Sequence, residues 1–340
     1  MNGYQRISAV LRGEEPDTVP VMLHNFMMAA REAGMTMEQF RNDPKEMARA
    51  FIESVEKHEF DGIMIDVDTV TLAGAAGVPI NFPHDQPAQP AGARLRSIEE
   101  VVDLPPVDIR SYRGVQVWLE ATSILAQHFD SNIFIRGNCD QSPFSLSSLI
   151  RGIEPWLMDI ADEEKHELVH KLLSYSTDIG LQFIRAMAET GAHMTSNGDS
   201  VAGPELISPD MFRAFALPYE QRIIDESHAL GFPNFLHICG NTEPIIDAML
   251  ESGADGLELD YRTSPALAHD KMKDRAVFIG NIDPSGVLAL GTPELVEHKT
   301  RELLTVFSDT PRFILNAGCA IPSITPPENL RRMISTARSF

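Results

Sequence analysis

Residues 234–261 read NFLHICGNTEPIIDAMLESGADGLELDY. An apolar run over 234–239 stops at Gly240. An amphipathic stretch follows over 242–252, and a second apolar run occupies 256–261. Two short apolar runs joined by a helix-length segment spell a βαβ unit, because parallel strands need a crossover long enough to bring the chain back alongside itself. The same rhythm continues in both directions. Strand-like runs fall at 19–24, 62–68, 132–137, 193–199, 276–283 and 312–319, with helix-like stretches at 44–59, 163–190, 208–230 and 293–308. Asp43-Pro44, Ser208-Pro209 and Thr292-Pro293 each set a capping residue before a proline at the first helical position. Eight alternations in 340 residues predict a (β/α)8 TIM barrel rather than an open, doubly wound sheet.

Residues 1–340 are expected to form one domain, because nothing outside this pattern asks for a second. Residues 1–18 are read as a leading helical segment ahead of the barrel, and 79–106 as a proline-rich excursion at the rim. That excursion also leaves room for a homo-oligomer contact.

The composition narrows the function. Lys and Arg number 28 against 49 Asp and Glu, a formal charge of −21. Phosphate backbones and anionic lipids are bound by clustered cations, so neither nucleic acid nor a membrane surface is an expected partner. No apolar run approaches the roughly 20 residues of a spanning helix, and no signal peptide is visible. The expected compartment is the cytoplasm. Three cysteines, Cys139, Cys239 and Cys319, are too few for a disulfide framework in a chain this long.

In a parallel barrel the chemistry sits at the C-terminal ends of the strands. Those ends carry His24, Asp66 and Asp68, Asn138, Asp199, His237 and Cys239, Glu258 and Asp260, Asn281 and Cys319. Residues two apart on a strand share a face, so His237 and Cys239 project together. Imidazole and thiolate are both good Zn²⁺ ligands, and Cys319 at another strand end would complete a three-ligand site with one open position. The fourth ligand is expected to be a carboxylate, Asp260 foremost, with Glu258 and Asp199 as alternatives. Asp68 and Asp199 are candidate catalytic groups for orienting a substrate or moving a proton. His24, Asn138 and Asn281 are candidate pocket residues, while Cys139 is read as a packed bystander.

The segments GADGLELDYRTSP (253–265), VFIGNIDPSGVLALGTPE (277–294) and FILNAGCAIPSITPPENL (313–330) carry a resemblance to the uroporphyrinogen decarboxylase superfamily. RISAVLRGEEPDTVPV (6–21) and DGIMIDVDTVTLAGAAGVP (61–79) extend it toward the N-terminus, and place the family's catalytic aspartate on Asp68. The resemblance implies the barrel fold; it does not by itself choose the reaction. The decarboxylase's arginine-rich segment is matched here by HNFMMAAREAG (24–34), with only Arg31. Its pocket tyrosine falls near Leu149, and its C-terminal histidine falls on Cys319. HICGNT (237–242) followed by NAGC (316–319) is instead similar to the zinc-dependent methyltransferase branch, whose zinc ligands carry over to His237, Cys239 and Cys319. A more remote likeness to cobalamin-independent methionine synthase puts its carboxylate ligand on Asp260. That branch implies methyl transfer between a corrinoid protein and a small thiol or methyl ether. The cofactors would be zinc and a methylcobamide carried by the partner. The alternative is a metal-free decarboxylase acting on a tetrapyrrole or related acid.

Overall fold

The computed structural model describes residues Met1–Phe340. Eight parallel strands run in chain order around the sheet: β1 (Met22–Leu23), β2 (Gly62–Ile65), β3 (Phe134–Gln141), β4 (Met194–Gly198), β5 (Asn234–Ile238), β6 (Gly256–Leu259), β7 (Val277–Ile282) and β8 (Phe313–Ala317). β8 returns to the first strand through a parallel bridge between Val21 and Leu315 and a hydrogen bond from Leu315 N to Pro20 O. The result is a (β/α)8 barrel with helices outside.

β1 is much shorter than the 19–24 run, since Pro20 has no N–H to offer the ladder. β3 is longer than the 132–137 run and continues through Asn138, Cys139 and Asp140. Its register with β4 shifts between Asn138 and Gln141, and Asp140 adopts a φ of 61°. Such a bulge re-aims side chains at a barrel rim. The expected helix over 208–230 is interrupted by a π-turn at Phe212–Ala216, just ahead of the helix Leu217–Ala229. Pro218 cannot donate to the turn before it, which is a recognised cause of such a break. Asp43, Ser208 and Thr292 each accept a hydrogen bond from the first turn of the helix they precede. In the rim segment, a two-stranded hairpin pairs Ile80–Asn81 with Gln89–Pro90.

Alternation along the strands layers the barrel interior. The lowest layer is apolar, with Met22, Phe134, Met194, Phe235, Ile279 and Ile314 in contact. Ile7 and Val10 of the leading helix Gly3–Arg12 pack into the same layer and are fully buried. That helix therefore closes the N-terminal end of the barrel. Each such side chain stabilises by about 1.5–3 kcal/mol relative to exposure. Two residues further along the strands the interior turns polar: His24, Arg136, His237 and Asn316 stand above Met22, Phe134, Phe235 and Ile314. No helix is long and apolar enough to cross a membrane.

Candidate metal centre

His237 and Cys239 come from the end of β5, and Cys319 from the turn after β8. One ligand atom from each lies within 4.8 Å of the other two. His237 Nε2 is 3.0 Å from Cys239 Sγ, and the two sulfurs are 3.8 Å apart. His237 Nδ1 donates to the main-chain oxygen of Glu258 at 2.9 Å, which leaves Nε2 to face the sulfurs. Tetrahedral zinc with Zn–S bonds of about 2.3 Å separates two sulfurs by about 3.8 Å, so this donor set fits the ion. Two glycines make the convergence possible. Gly240 turns the chain after Cys239 with a φ of 86°. A Cβ on Gly318 would lie 2.4 Å from Tyr261 N.

Electrostatics tie the three groups together. A hydrogen bond from Cys319, then the neighbouring imidazole, pull the Cys239 thiol down to about 3. Burial alone would lower His237; the Cys239 thiolate and Glu258 outweigh it and raise the imidazole to about 10. Cys319, as the donor toward Cys239, is pushed up. Without a metal the pair is a Cys239 thiolate against a His237 imidazolium, so a bound metal would take the place of the Nε2 proton.

The cluster opens on a cavity of about 190 Å³ at the C-terminal mouth, lined also by His24, Asp66, Asp68, Arg136, Asn138, Asp140, Asn197 and Ser200. His24 Nε2 and Asp66 Oδ2 are 2.6 Å apart, and Asn138 Nδ2 donates to Asp66 Oδ1 at 3.1 Å. Asp68 Oδ1 accepts from Val70 N and Thr71 Oγ1, both at 2.9 Å. Burial, with Asp66 nearby, raises the Asp68 carboxyl to about 6.

Three expected site residues stand elsewhere. Asp260 is not part of the three-residue cluster: its oxygens accept from Gly240 N at 3.0 Å and Arg262 N at 2.9 Å, holding the loops around the site. Asn281 is outside the cavity lining and donates to the main-chain oxygens of Asp260 and Thr263. Asp199 is fully buried behind β4, where it accepts from Ser145 N at 2.7 Å. Burial raises it to about 6, and it faces the buried Glu220. Counting by twos from the inward Met194 reaches Ser196 and Gly198, so Asp199 falls on the outer face.

Glu258 is engaged differently from a ligand. One of its oxygens lies 2.6 Å from Arg136 Nη2, both side chains fully buried, and the other accepts from Asn316 Nδ2 at 3.1 Å. Burial alone would raise its carboxyl, but Arg136, His237 and His24 hold it below the usual range. Its main chain orients the imidazole and its side chain neutralises Arg136. Arg136 went unread in the sequence. Its signal was a cation in the middle of an apolar barrel strand, where only a buried acid opposite makes it tolerable.

The fold is an eight-stranded parallel barrel, and one histidine and two cysteines meet at its C-terminal mouth. Residues 3–340 match the family model of uroporphyrinogen decarboxylase (URO-D), and the chain belongs to that family. Within it, the similarity runs to methyltransferase members. The methylcobamide:CoM methyltransferase MtbA of Methanosarcina acetivorans is 28% identical over 341 residues, covering 99% of this chain and 97% of that protein. The uroporphyrinogen decarboxylase of Alkalilimnicola ehrlichii is 24% identical over 362 residues, covering 98% and 93%. Among solved structures, a methyltransferase from Methanosarcina mazei superposes with a TM-score of 0.91 over 100% of this chain and 99% of that one, at 24% identity, and so shares the fold.

Proposed function

We propose that this chain is a methyltransferase that moves a methyl group between a corrinoid protein and a small thiol or methyl ether, with zinc held by His237, Cys239 and Cys319. The observation that carries the reading is the convergence of those three donors, from two strand ends, on the wall of one cavity. Zinc bound there would keep a substrate thiol deprotonated near neutral pH, or polarise a methyl-ether oxygen as a Lewis acid. His237 is held in the required tautomer by the Glu258 carbonyl, while Cys239 and Cys319 supply the two negative charges that the ion needs. Asp68 lines the same cavity and would orient the substrate or exchange a proton with it. The barrel mouth is where a corrinoid protein would present its cofactor.

Porphyrinogen decarboxylation is disfavoured by the charges in the cavity. Arg136 is the one arginine or lysine on its wall, and it stands 2.6 Å from Glu258, which is too few fixed cations for a ring of substrate carboxylates. The deciding experiment combines metal analysis of the purified protein with a methylcobalamin-dependent thiol methylation assay. About one zinc per chain and zinc-dependent turnover are expected. A protein that holds no zinc and gains nothing from added zinc would overturn the proposal.

A further inference from the structure

The sulfurs of Cys239 and Cys319 stand 3.8 Å apart, near contact distance. A disulfide holds its sulfurs at about 2.05 Å, so about 1.8 Å remains to be closed. The main chain on both sides is set by tight turns. Gly240 follows Cys239 at a φ of 86°, and Gly318 lies against the main chain of Tyr261 and Asp260. Closure therefore falls to rotation of the two side chains.

Both sulfurs are within reach of a small oxidant. The two cysteines are half-buried and line the cavity of about 190 Å³. That space has room for several water-sized molecules, and hydrogen peroxide is scarcely larger than water. Cys139 is placed differently. It is 3% exposed, its sulfur donates to Gly137 O at 3.7 Å, and it is outside the cavity lining. The fold thus pairs two of its three cysteines on an open wall and packs the third away. In a reducing compartment, an isolated pair of this kind is typical of a reversible redox device rather than a structural staple.

We propose that Cys239 and Cys319 form a reversible disulfide when the site holds no zinc and a peroxide enters the cavity, and that the oxidised chain refuses zinc until a thiol reduces it. One sulfur takes an oxygen from hydrogen peroxide and becomes a sulfenic acid, releasing one water. The second sulfur then displaces that oxygen as another water and leaves the disulfide. Two thiol hydrogens are lost, each sulfur is oxidised by one electron, and the peroxide is reduced to two waters. A disulfide sulfur carries no negative charge, so His237 alone is left to bind the ion. The refusal of zinc rests on the proposed metal centre; the sulfur pair stands without it.

The test uses the full chain, stripped with EDTA or loaded with zinc, and hydrogen peroxide as the probe. Thiols are counted in denaturant, and linked peptides are identified by mass. In the stripped, folded chain the count is expected to fall from three to one. The peptides of Cys239 and Cys319 should be joined with the loss of two hydrogens, and Cys139 should remain free. The linkage is expected to form at least about tenfold faster than in the same chain unfolded in urea, and at least about tenfold faster than in the zinc-loaded chain. The oxidised chain should bind less than about a tenth of a zinc, and dithiothreitol should restore about one. Cys139→Ser is expected to form the same linkage. Oxygen gained at either sulfur without a linkage overturns the inference, as does a linkage that draws in Cys139 or forms no faster than in urea. Full zinc uptake by the oxidised chain overturns the refusal of zinc. A linkage in a chain that takes up no zinc even when reduced removes the metal centre and the refusal of zinc, and upholds the sulfur pair.

Discussion

Cys239 and Cys319 are 80 residues apart in the chain and 3.8 Å apart at sulfur. Barrel closure brings them together: β5 and β8 are not neighbours in the sheet, but their C-terminal ends open on the same mouth. Cys239→Ser and Cys319→Ser are each expected to lower bound zinc from about one per chain to below a tenth. The circular dichroism of both should match the wild type, because neither sulfur belongs to the main apolar core. Elemental analysis beside the spectrum checks this, and full zinc occupancy in either variant would remove that cysteine from the site.

Asp68 carries a stability cost that changes with pH. Its carboxyl is raised from the usual 3.8 to about 6 by burial. The folded state therefore holds a proton that the unfolded chain has released between those values, and stability falls as pH rises through this window. Asp68→Asn is expected to remove that loss. The variant should be more stable than the wild type by up to about 3 kcal/mol at pH 7–8, with little difference near pH 4. Urea unfolding at the two pH values measures it, together with a drop in turnover if Asp68 serves the substrate.

The Arg136–Glu258 pair makes a different demand. Removing one member leaves a charge stranded inside the barrel, at a typical cost of about 3–5 kcal/mol. Arg136→Met should pay that cost, and the double variant Arg136→Met/Glu258→Gln should recover at least half of it. A double-mutant cycle in urea reads the coupling. Additive losses would show that the two side chains act independently.

Gly318 tests the geometry behind Cys319. A Cβ there meets Tyr261 N at 2.4 Å and the carbonyl carbon of Asp260 at 3.0 Å, both main-chain atoms that cannot swing aside. Gly318→Ala is expected to weaken zinc affinity by about tenfold or more by displacing the neighbouring cysteine. Competition with a chromogenic chelator gives the constant, and wild-type affinity would mean that the turn relaxes without moving Cys319.

Much of this architecture could be read from patterning. All eight barrel strands overlap apolar runs in the sequence, and the three proline-led helix starts are in place. His237, Cys239 and Cys319 stood out because ligating side chains are scarce at strand ends and two of them share a face by spacing alone. What resisted reading was orientation. Asp199 sits at a strand end like Asp66, but on the opposite face. Asp260 follows the inward residues Gly256 and Glu258, yet the chain has begun to turn, and two loop amides claim its carboxylate. Arg136 and Glu258 are far apart in sequence, and a buried ion pair leaves no local signal that either partner has found the other.

The leading helix has a consequence for the order of events. With Ile7 and Val10 filling the lower end of the barrel, the cavity is reached from the C-terminal mouth. Under the proposed function a small substrate and a corrinoid carrier would share that mouth, and the small substrate would have to be seated before the carrier docks over it.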